Sequence, residues 1–438
     1  MSARSRVFEP GRLTWALGIE DTCVYPRPVD PGPVLDEHAL TQHDARWRED
    51  LRAAASLGAT ALRYGASWPL VHVAPDRFEW SHLDDVVDLA GELGLALVLD
   101  LVHYGCPTWL EGSFVDPQFP EVLAAFAGAA ALRYRSRVDH FTPVNEPLTT
   151  ASFSGLRGVW PPHATGWDGW VAVTVSIALG VAAAERAIRE ANPDAVVVHV
   201  EASALYETDH GHLRDEVEHL DAVARLPLEL ALGRIDPGHA MAQWLIDHGA
   251  DPLALDELVR RPSAPDLLGV NYYPDLTPRS LVVHVGQTAQ VAVNRGVAGL
   301  EAVLRDFADA YGRPIVITET SIEGDDAVRT RWLHAAAASV ARLRDEGLDI
   351  RGLTWWPLFD FVDWSFASGG SSVEEFLVAH PAGDGRRYAP LPPMAPSGSG
   401  PEAYLRRMGL LRVEPDETGL ARIPTAASDL YRILASGR

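Results

Sequence analysis

Lysine does not occur in this 438-residue sequence, so all 37 basic residues are arginine. This absence excludes catalysis through a Schiff base on a lysine amine. It also excludes a P-loop, whose lysine contacts nucleotide phosphates. Cysteine is nearly absent too. Cys23 and Cys106 are too few for a disulfide framework and lack the spacing of metal ligands, so we expect both thiols to be reduced.

Long apolar runs are also missing from the sequence. Residues 1–10 are polar and lack the apolar core of a secretory signal, and no run of about 20 apolar residues is long enough to span a bilayer. We therefore expect a cytoplasmic protein with no membrane partner.

Positive charge is scarce, with 37 basic residues against 60 acidic ones and a net charge of -23. Such a surface repels nucleic acid phosphates and anionic lipids, which leaves a neutral ligand as the expected partner. The 47% hydrophobic and 22% charged residues are typical of a globular protein with a sizeable core.

Short apolar runs alternate with longer segments of helical period along the chain, a pattern that predicts a parallel sheet with crossover helices. Eight runs occur, the number of strands in a closed (β/α)8 TIM barrel, and we expect residues 1–438 to form one such domain. The predicted strands are Thr14–Glu20, Thr60–Trp68, Leu95–Tyr104, His140–Glu146, Ala195–Ala202, Asp266–Tyr273, Pro314–Thr320 and Ile350–Asp360.

Helical periodicity is clearest in five of the intervening segments, several of which are followed by a glycine that can cap the last turn. Gly, Ser and Pro dominate residues 367–400, which we predict to be a long loop after the eighth strand. The five predicted helices are Asp44–Leu57, Leu83–Leu93, Glu121–Tyr134, Trp170–Glu190 and Trp332–Glu346.

Polar residues close most of the predicted strands, where barrel enzymes place their active sites. Glu146 ends the fourth strand and Glu319 the seventh. Two carboxyl groups facing one pocket, with aromatic, amide and imidazole groups around them, are what cleavage of a glycosidic bond requires. Arg63 on the second strand would hold Glu319 ionised, whereas Glu146 must arrive protonated.

Two motifs carry a specific family resemblance. TPVNEP at 142–147 resembles the TFNEP-type acid/base motif of glycoside hydrolase family 1, and ITET at 317–320 resembles its ITENG nucleophile motif. Further similar segments follow in the family's order and cover nearly the whole chain. They are LRYGASWP at 62–69, LVHYGCP at 101–107, DLLGVNYY at 266–273, WPLFDFVDW at 356–364 and GLLRVEPDETGLARIPTAASDLY at 409–431.

The resemblance implies a retaining β-glycosidase. It makes Glu146 the general acid/base and Glu319 the nucleophile, with Arg63 and Tyr273 as partners of the nucleophile carboxylate. The two catalytic carboxyl groups of a retaining enzyme stand about 5 to 5.5 Å apart. The further residues expected to bind the sugar are His103, Asn145 through the 2-hydroxyl, Asn271, Trp356 as a platform under the ring, and Trp364.

Three departures from the family pattern fall in the sugar subsite. The family's first-strand glutamine is missing, and Glu20 or Asp21 is expected to replace it. Asp363 stands where a glutamate is usual, and Tyr104 stands where a tryptophan is usual. The sugar specificity is therefore less constrained than the chemistry. A phosphorylated sugar is not expected, because no lysine is present to bind the phosphate.

The expected activity is exo-acting hydrolysis of a terminal β-linked sugar from a small-molecule or oligosaccharide glycoside. Two alternatives remain open: transfer of the sugar to an acceptor by the same two glutamates, and a sugar-binding relative without turnover. We expect no cofactor. His199, Glu201, His210 and His212 have no recognised metal-site spacing, so we expect no metal either.

Overall fold

Eight parallel strands close into a barrel in the computed structural model, which describes residues 7–29, 32–284, 287–367, 376–377, 400–417 and 419–437. Each strand pairs with the next along the chain, and the eighth pairs with the first through Leu17 and Trp355. All eight lie inside the runs predicted from the sequence, so the barrel prediction is confirmed. The strands are β1 Thr14–Gly18, β2 Ala61–Gly65, β3 Ala96–Asp100, β4 His140–Thr142, β5 Val196–Ala202, β6 Leu267–Asn271, β7 Ile315–Thr320 and β8 Ile350–Trp355.

Burial on both faces explains why these strands appear as continuous apolar runs. Every residue of β6 and β7 is buried. At the amino-terminal end of the barrel, Val7 and Phe8 pack against Ala16 and Val316. That end is therefore filled with apolar side chains, and the polar residues collect at the carboxyl end.

A helix follows each barrel strand. The five helices predicted from the sequence are present, with ends shifted by up to six residues, whereas α5, α6 and α8 were not predicted. The eight helices are α1 His43–Ser56, α2 Ser81–Glu92, α3 Phe119–Arg133, α4 Gly166–Ala191, α5 Arg214–Ala231, α6 Gly296–Tyr311, α7 Asp326–Asp345 and α8 Ala426–Ala435.

Shorter elements lie in the segments that connect the barrel strands and these eight helices. The additional α-helices are Glu37–Leu40, Trp68–Val71, Pro147–Ala151, Ala242–Asp247 and Pro252–Arg260. A π-helix spans Ser152–Leu156, and 3-10 helices span Ser113–Val115, Gly211–Leu213, Trp364–Phe366 and Pro401–Tyr404. The additional strands are Cys23–Val24, Leu35–Asp36, His72–Ala74, Arg77–Phe78, Leu205–Glu207, Pro278–His284, Gln287–Ala292, Phe361–Val362, Phe376–Leu377, Leu405–Arg406, Leu411–Asp416 and Gly419–Pro424.

The predicted loop 367–400 lies mostly outside the described residues. Its described part includes the short strand Phe376–Leu377, which pairs antiparallel with Gln287–Ala292. A strand within this segment was not expected from its composition.

Helix α4 corrects one expectation. Its 26 residues are long and apolar enough to cross a membrane by length and composition, with a mean hydropathy of 1.7 in the most apolar window. Glycines and single polar residues interrupt it, so a search for an unbroken apolar run misses it. Two-thirds of that window, 67%, is buried, and α4 packs along α3. Such burial is typical of a helix that covers a protein core.

Helix α8 packs over the junction between β1 and β8. The Tyr431 hydroxyl on α8 donates a hydrogen bond to the Ala16 carbonyl of β1 at 2.9 Å, and the Tyr431 ring packs edge-on against Trp15 at 5.5 Å. Tyr431 is fully buried. The two ends of the chain are therefore held together beside the first strand.

Candidate active site

One cavity of about 230 Å³ opens at the carboxyl end of the barrel. Nine of the twelve residues predicted to form the site line it. They are His103, Tyr104, Glu146, Asn271, Tyr273, Glu319, Trp356, Asp363 and Trp364.

Glu319 lies near the end of β7, and both of its carboxylate oxygens accept hydrogen bonds. Arg63 Nη1 donates to Oε1 at 2.8 Å, and the Tyr273 hydroxyl donates to Oε2 at 2.6 Å. Burial raises the pKa of Glu319, and the Arg63 cation and the Tyr273 hydrogen bond oppose that rise. The pKa of Glu319 stays above its usual value, and Arg63 is the largest of the influences that stabilise the ionised form.

Glu146 lies just after β4 and has different partners. Its backbone adopts a left-handed conformation with φ of 44°. The Tyr104 hydroxyl donates to Oε2 at 2.5 Å, and Asn271 Nδ2 donates to Oε1 at 2.7 Å. The Asn271 amide is oriented by the Thr318 hydroxyl, which donates to its oxygen at 2.6 Å. Both donors to Glu146 are neutral.

Arg63 lies in the floor of the site, surrounded by three carboxyl groups. Besides Glu319, it contacts Glu20 Oε1 at 2.5 Å and Asp100 Oδ2 at 3.1 Å. Burial alone would lower the pKa of Arg63, but the three carboxylates raise it above its ordinary value. Burial raises the pKa of Glu20 well above its usual range, against the effect of Arg63. The floor is therefore acidic around a single central cation.

Asn145 links this floor to the wall of the cavity. Its side-chain oxygen accepts from Arg63 Nη2 at 3.1 Å, which directs its amide nitrogen towards the Tyr104 hydroxyl at 3.1 Å and His103 Nε2 at 3.3 Å. Because that nitrogen can only donate, the Tyr104 hydroxyl accepts from it and has its own proton free for Glu146. A directed chain of hydrogen bonds thus runs from Arg63 through Asn145 and Tyr104 to Glu146.

His103 is held from its other side by Asp100. His103 Nδ1 lies 3.0 Å from Asp100 Oδ2. Burial lowers the pKa of His103, but the hydrogen bond and charge of Asp100 outweigh it and leave the pKa above its usual value. Asp100 therefore orients both an imidazole at the cavity wall and the guanidinium beneath it.

Aromatic rings and one acid complete the wall on the side of β8. Trp356 is buried, and its Nε1 donates to the Glu20 carbonyl at 2.7 Å. Asp363 accepts from the Ser365 amide at 2.8 Å, with its other oxygen 3.6 Å from Arg406 Nη1. Trp364 packs edge-on against Tyr104 at 5.3 Å. A flat apolar face and hydrogen-bonding groups thus converge on one pocket, as binding of a sugar ring requires.

Comparison with known proteins agrees with this geometry. The family model described as "Glycosyl hydrolase family 1" matches residues 36–280, more than half of the chain. The chain belongs to glycosyl hydrolase family 1. It is therefore a glycoside hydrolase. The matched residues include Glu146 and end before Glu319.

Two relatives of this family 1 protein cover most of its length. A bifunctional β-D-glucosidase/β-D-fucosidase from Bifidobacterium breve is 26% identical over 77% of this chain and 82% of its own. β-Glucosidase A from Thermotoga maritima is 23% identical over 74% and 79%. A solved structure of a β-glucosidase from Thermotoga maritima in complex with azafagomine matches with a TM-score of 0.75 at 18% identity, covering 98% of both chains. At that identity the structural match shows the fold alone.

Three predicted site residues lie beneath the cavity of this family member. Arg63, Glu20 and Asn145 are buried and do not line it. The structure shows them holding Glu319, His103 and Tyr104 in place. Direct contact of Glu20 and Asn145 with sugar hydroxyls stays a prediction. The alternative to Glu20, Asp21, is also buried, and burial raises its pKa to about 7.

Two residues that hold the side chains of this family 1 site in place were not predicted from the sequence. Asp100 holds Arg63 and His103, and Thr318 orients Asn271. Asp100 had a visible signal, since it is an acid at the end of an otherwise apolar strand. Thr318 had none, because its role depends on the neighbouring strand β6.

The two cysteines and the histidines considered as metal ligands are placed as follows. Cys23 and Cys106 are free and buried. His199 and Glu201 both belong to β5, and His199 Nε2 lies 3.6 Å from Glu201 Oε2. Among the residues that the structure describes, no group of three or more His, Cys, Asp or Glu side chains could hold a metal ion.

Proposed function

We propose that this family 1 hydrolase removes a terminal β-linked sugar with retention of configuration, using Glu319 as the nucleophile and Glu146 as the general acid/base. The observation that carries this assignment is the difference between the partners of the two carboxyl groups. Glu319 is paired with the Arg63 guanidinium, whereas the donors to Glu146 are the neutral Tyr104 and Asn271.

The cation beside Glu319 suits a group that must attack as an anion. A guanidinium 2.8 Å away stabilises the ionised form and fixes the direction of Oε1. Oε2, which accepts from Tyr273, is held by a weaker neutral donor. A nucleophile needs one oxygen able to leave its hydrogen bond and form a covalent bond to carbon.

Glu146 suits the opposite role. Its carboxyl group is held by two neutral donors, Tyr104 and Asn271, in a position to pass a proton to the glycosidic oxygen. In the first step Glu319 attacks the anomeric carbon, the bond to the leaving oxygen breaks, and Glu146 protonates that oxygen. In the second step Glu146 takes a proton from water, and the oxygen of that water displaces Glu319 from the anomeric carbon. Two inversions give net retention.

Sugar recognition is assigned to the wall on the side of β3 and β8. The imidazole of His103 and the carboxylate of Asp363 can bind ring hydroxyls, and the face of Trp356 can stack under the ring. The names of the relatives, glucosidases and a glucosidase/fucosidase, support a neutral hexose in this position.

The decisive experiment pairs a substrate panel with a nucleophile variant. Nitrophenyl β-glycosides of several sugars are incubated with the protein, and NMR identifies the first anomer released. We expect a β-anomer, and we expect Glu319→Gln to lower kcat by orders of magnitude. The matched control, Glu414→Gln, alters an exposed carboxyl group outside the cavity and should leave kcat unchanged.

Two results would overturn the proposal: an α-anomer as first product, or full turnover by the Glu319 variant. A fluorinated glycoside that traps the glycosyl-enzyme should label the peptide containing Glu319 in mass spectrometry. Addition of an alcohol acceptor separates hydrolysis from transfer, because a transferase would form the alkyl glycoside in place of the free sugar.

A further inference from the structure

The cavity continues past Glu146 into an apolar region, here called the apolar sector, which is formed by Leu148, Phe153, Leu156, Trp170, Leu220 and Val223. We propose that the apolar sector binds the leaving group of the substrate, and that this leaving group is a hydrophobic alcohol and not a second sugar. The inference rests on the proposed function, because the role of Glu146 fixes where the leaving group lies.

The position of the leaving group follows from proton transfer. A general acid must lie within hydrogen-bonding reach of the oxygen that it protonates, so the departing group extends from the sugar on the side of Glu146. The chain that follows Glu146 forms the helix Pro147–Ala151 and the π-helix Ser152–Leu156, which carry the first part of the apolar sector. Helices α4 and α5 supply the rest.

The depth of the apolar sector offers almost nothing to a sugar hydroxyl. Phe153, Leu156, Leu220 and Val223 are each no more than 7% exposed, and none has a side-chain donor or acceptor. A hydroxyl group buried without a hydrogen bond is destabilising, and a hexose carries several hydroxyls. A second sugar ring would therefore bind poorly there, whereas carbon surface would be stabilised.

Some polar residues of the cavity are more exposed than these four apolar side chains, whereas Ser203 and Gln290, which also line it, are buried. Thr149, Ser152, Arg157 and Arg279 line the cavity and are each partly exposed, unlike the buried apolar residues. Burial raises the pKa of the nearby Tyr206 phenol to about 12, as expected beside an apolar interior. The arrangement fits an alcohol with a hydrophobic body seated deep and any polar substituent directed outwards.

The apolar sector is preformed by a contact between two glycines. A side chain on Gly155 would bring its Cβ within 2.6 Å of the Gly169 carbonyl, and one on Gly169 within 2.3 Å of the Gly155 carbonyl. The π-helix therefore lies directly against the first turn of α4. Phe153 is further fixed by Trp160, whose ring stacks on it at 4.3 Å, and by the Arg157 guanidinium 4.4 Å from its centroid. A rigid apolar wall binds hydrophobic groups without an ordering cost.

The test uses substrates that share one sugar and one leaving-group chemistry. The sugar is the one that is cleaved in the nitrophenyl panel. The methyl, n-octyl and cyclohexylmethyl β-glycosides of this sugar are compared with a disaccharide in which the same sugar is β-linked to a second sugar. All four release an aliphatic alcohol, so differences in kcat/KM report binding of the departing group. We expect the octyl and cyclohexylmethyl glycosides to exceed both others about tenfold or more.

The outcomes distinguish this inference from the proposed function. If the disaccharide matches or exceeds the hydrophobic glycosides, the apolar sector does not have the assigned role, although the protein remains a β-glycosidase. If none of the four substrates and no nitrophenyl glycoside is cleaved, the proposed function itself is wrong.

A variant tests the location. Val223→Thr keeps the shape of the side chain and adds a hydroxyl in the apolar sector, so the ratio of octyl to methyl kcat/KM should fall about fivefold or more. Val115→Thr makes the same change at a residue that is 37% exposed and outside the cavity, and should keep the ratio. Equal ratios in both variants would overturn the assignment.

A second measurement needs no variant and covers the case in which Val223→Thr fails to fold. Free cyclohexylmethanol should inhibit hydrolysis of the methyl glycoside competitively by the wild-type protein, and glycerol at the same concentration should not. Equal inhibition by the two alcohols would also overturn the assignment.

Discussion

The Tyr104 hydroxyl donates a hydrogen bond to Glu146 Oε2 at 2.5 Å. The direction of this bond is fixed by Asn145, which donates to the same hydroxyl and is itself oriented by Arg63. The guanidinium that holds Glu319 and the phenol that holds Glu146 therefore belong to one chain of contacts. Tyr104 is therefore a positioning residue for Glu146.

Substitution of Tyr104 tests that assignment. In Tyr104→Phe the Glu146 carboxyl group loses the hydrogen bond that orients it, so kcat/KM for alkyl glycosides, whose leaving oxygen needs a proton, should fall by about tenfold. The matched control is Tyr25→Phe, which removes a hydroxyl bonded to Asp36 at 2.5 Å outside the cavity. An unchanged kcat/KM, or the same loss in the control, would show that Tyr104 does not act on the general acid.

Tyr273 makes the equivalent contact to the other glutamate, Glu319. Its hydroxyl lowers the pKa of Glu319 by stabilising the carboxylate, so Tyr273→Phe should raise that pKa. Because Glu319 must be ionised to attack, the acidic limb of kcat/KM should move to higher pH, and activity should be lost first at low pH. Movement of the alkaline limb alone would contradict the assignment of Glu319 as nucleophile.

The loss of activity on removal of the general acid should depend on the leaving group. Glu146→Ala should lower kcat/KM for alkyl glycosides by about 10²- to 10⁴-fold, because their leaving oxygen needs a proton. Dinitrophenyl glycosides need none and should keep most of their first-step rate. Azide, which needs no general base, should restore turnover and form the β-glycosyl azide. Formation of the α-azide would instead identify Glu146 as the nucleophile.

The contacts of Asp100 with Arg63 and His103 should contribute strongly to the free energy of unfolding. Asp100→Ala leaves Arg63 Nη2 and His103 Nδ1 without this buried carboxylate, and loss of one partner of a buried ion pair costs about 3 to 5 kcal/mol. Urea unfolding measures the change. The control Asp85→Ala breaks an exposed pair with Arg48 and should alter the unfolding free energy by less than about 1 kcal/mol. Similar losses in both variants would show that the Asp100 contacts contribute little.

Much of the barrel could be predicted from the sequence because its strands are buried on both faces. A strand such as Ile315–Thr320 appears as a continuous apolar run, and the polar residue that ends it marks the carboxyl edge of the sheet. Helix α5 was missed because Pro227 lies inside it and charged residues fill its first turns. The apolar residues of this helix can be recognised as one face only when the position of the barrel beneath them is known.

The two glutamates of the site could be predicted because each ends a strand within a distinctive motif. The contacts between strands could not. Asp100 lies beside Arg63 only because β2 and β3 are neighbours, and Asn145 reaches Tyr104 only through the turn after β4. The contact of Glu20 with Arg63 could not be predicted either, because it depends on the direction of the Glu20 side chain and not on its residue type.

The contact between Tyr431 and Ala16 has a consequence for how the protein is made. Strand β1 is translated before its partner β8 and before the covering helix α8. Until both have formed, one edge of β1 has unpaired backbone groups that can associate with other nascent chains. A chain cut before α8 would lose the Tyr431 contact and leave the junction between β1 and β8 uncovered.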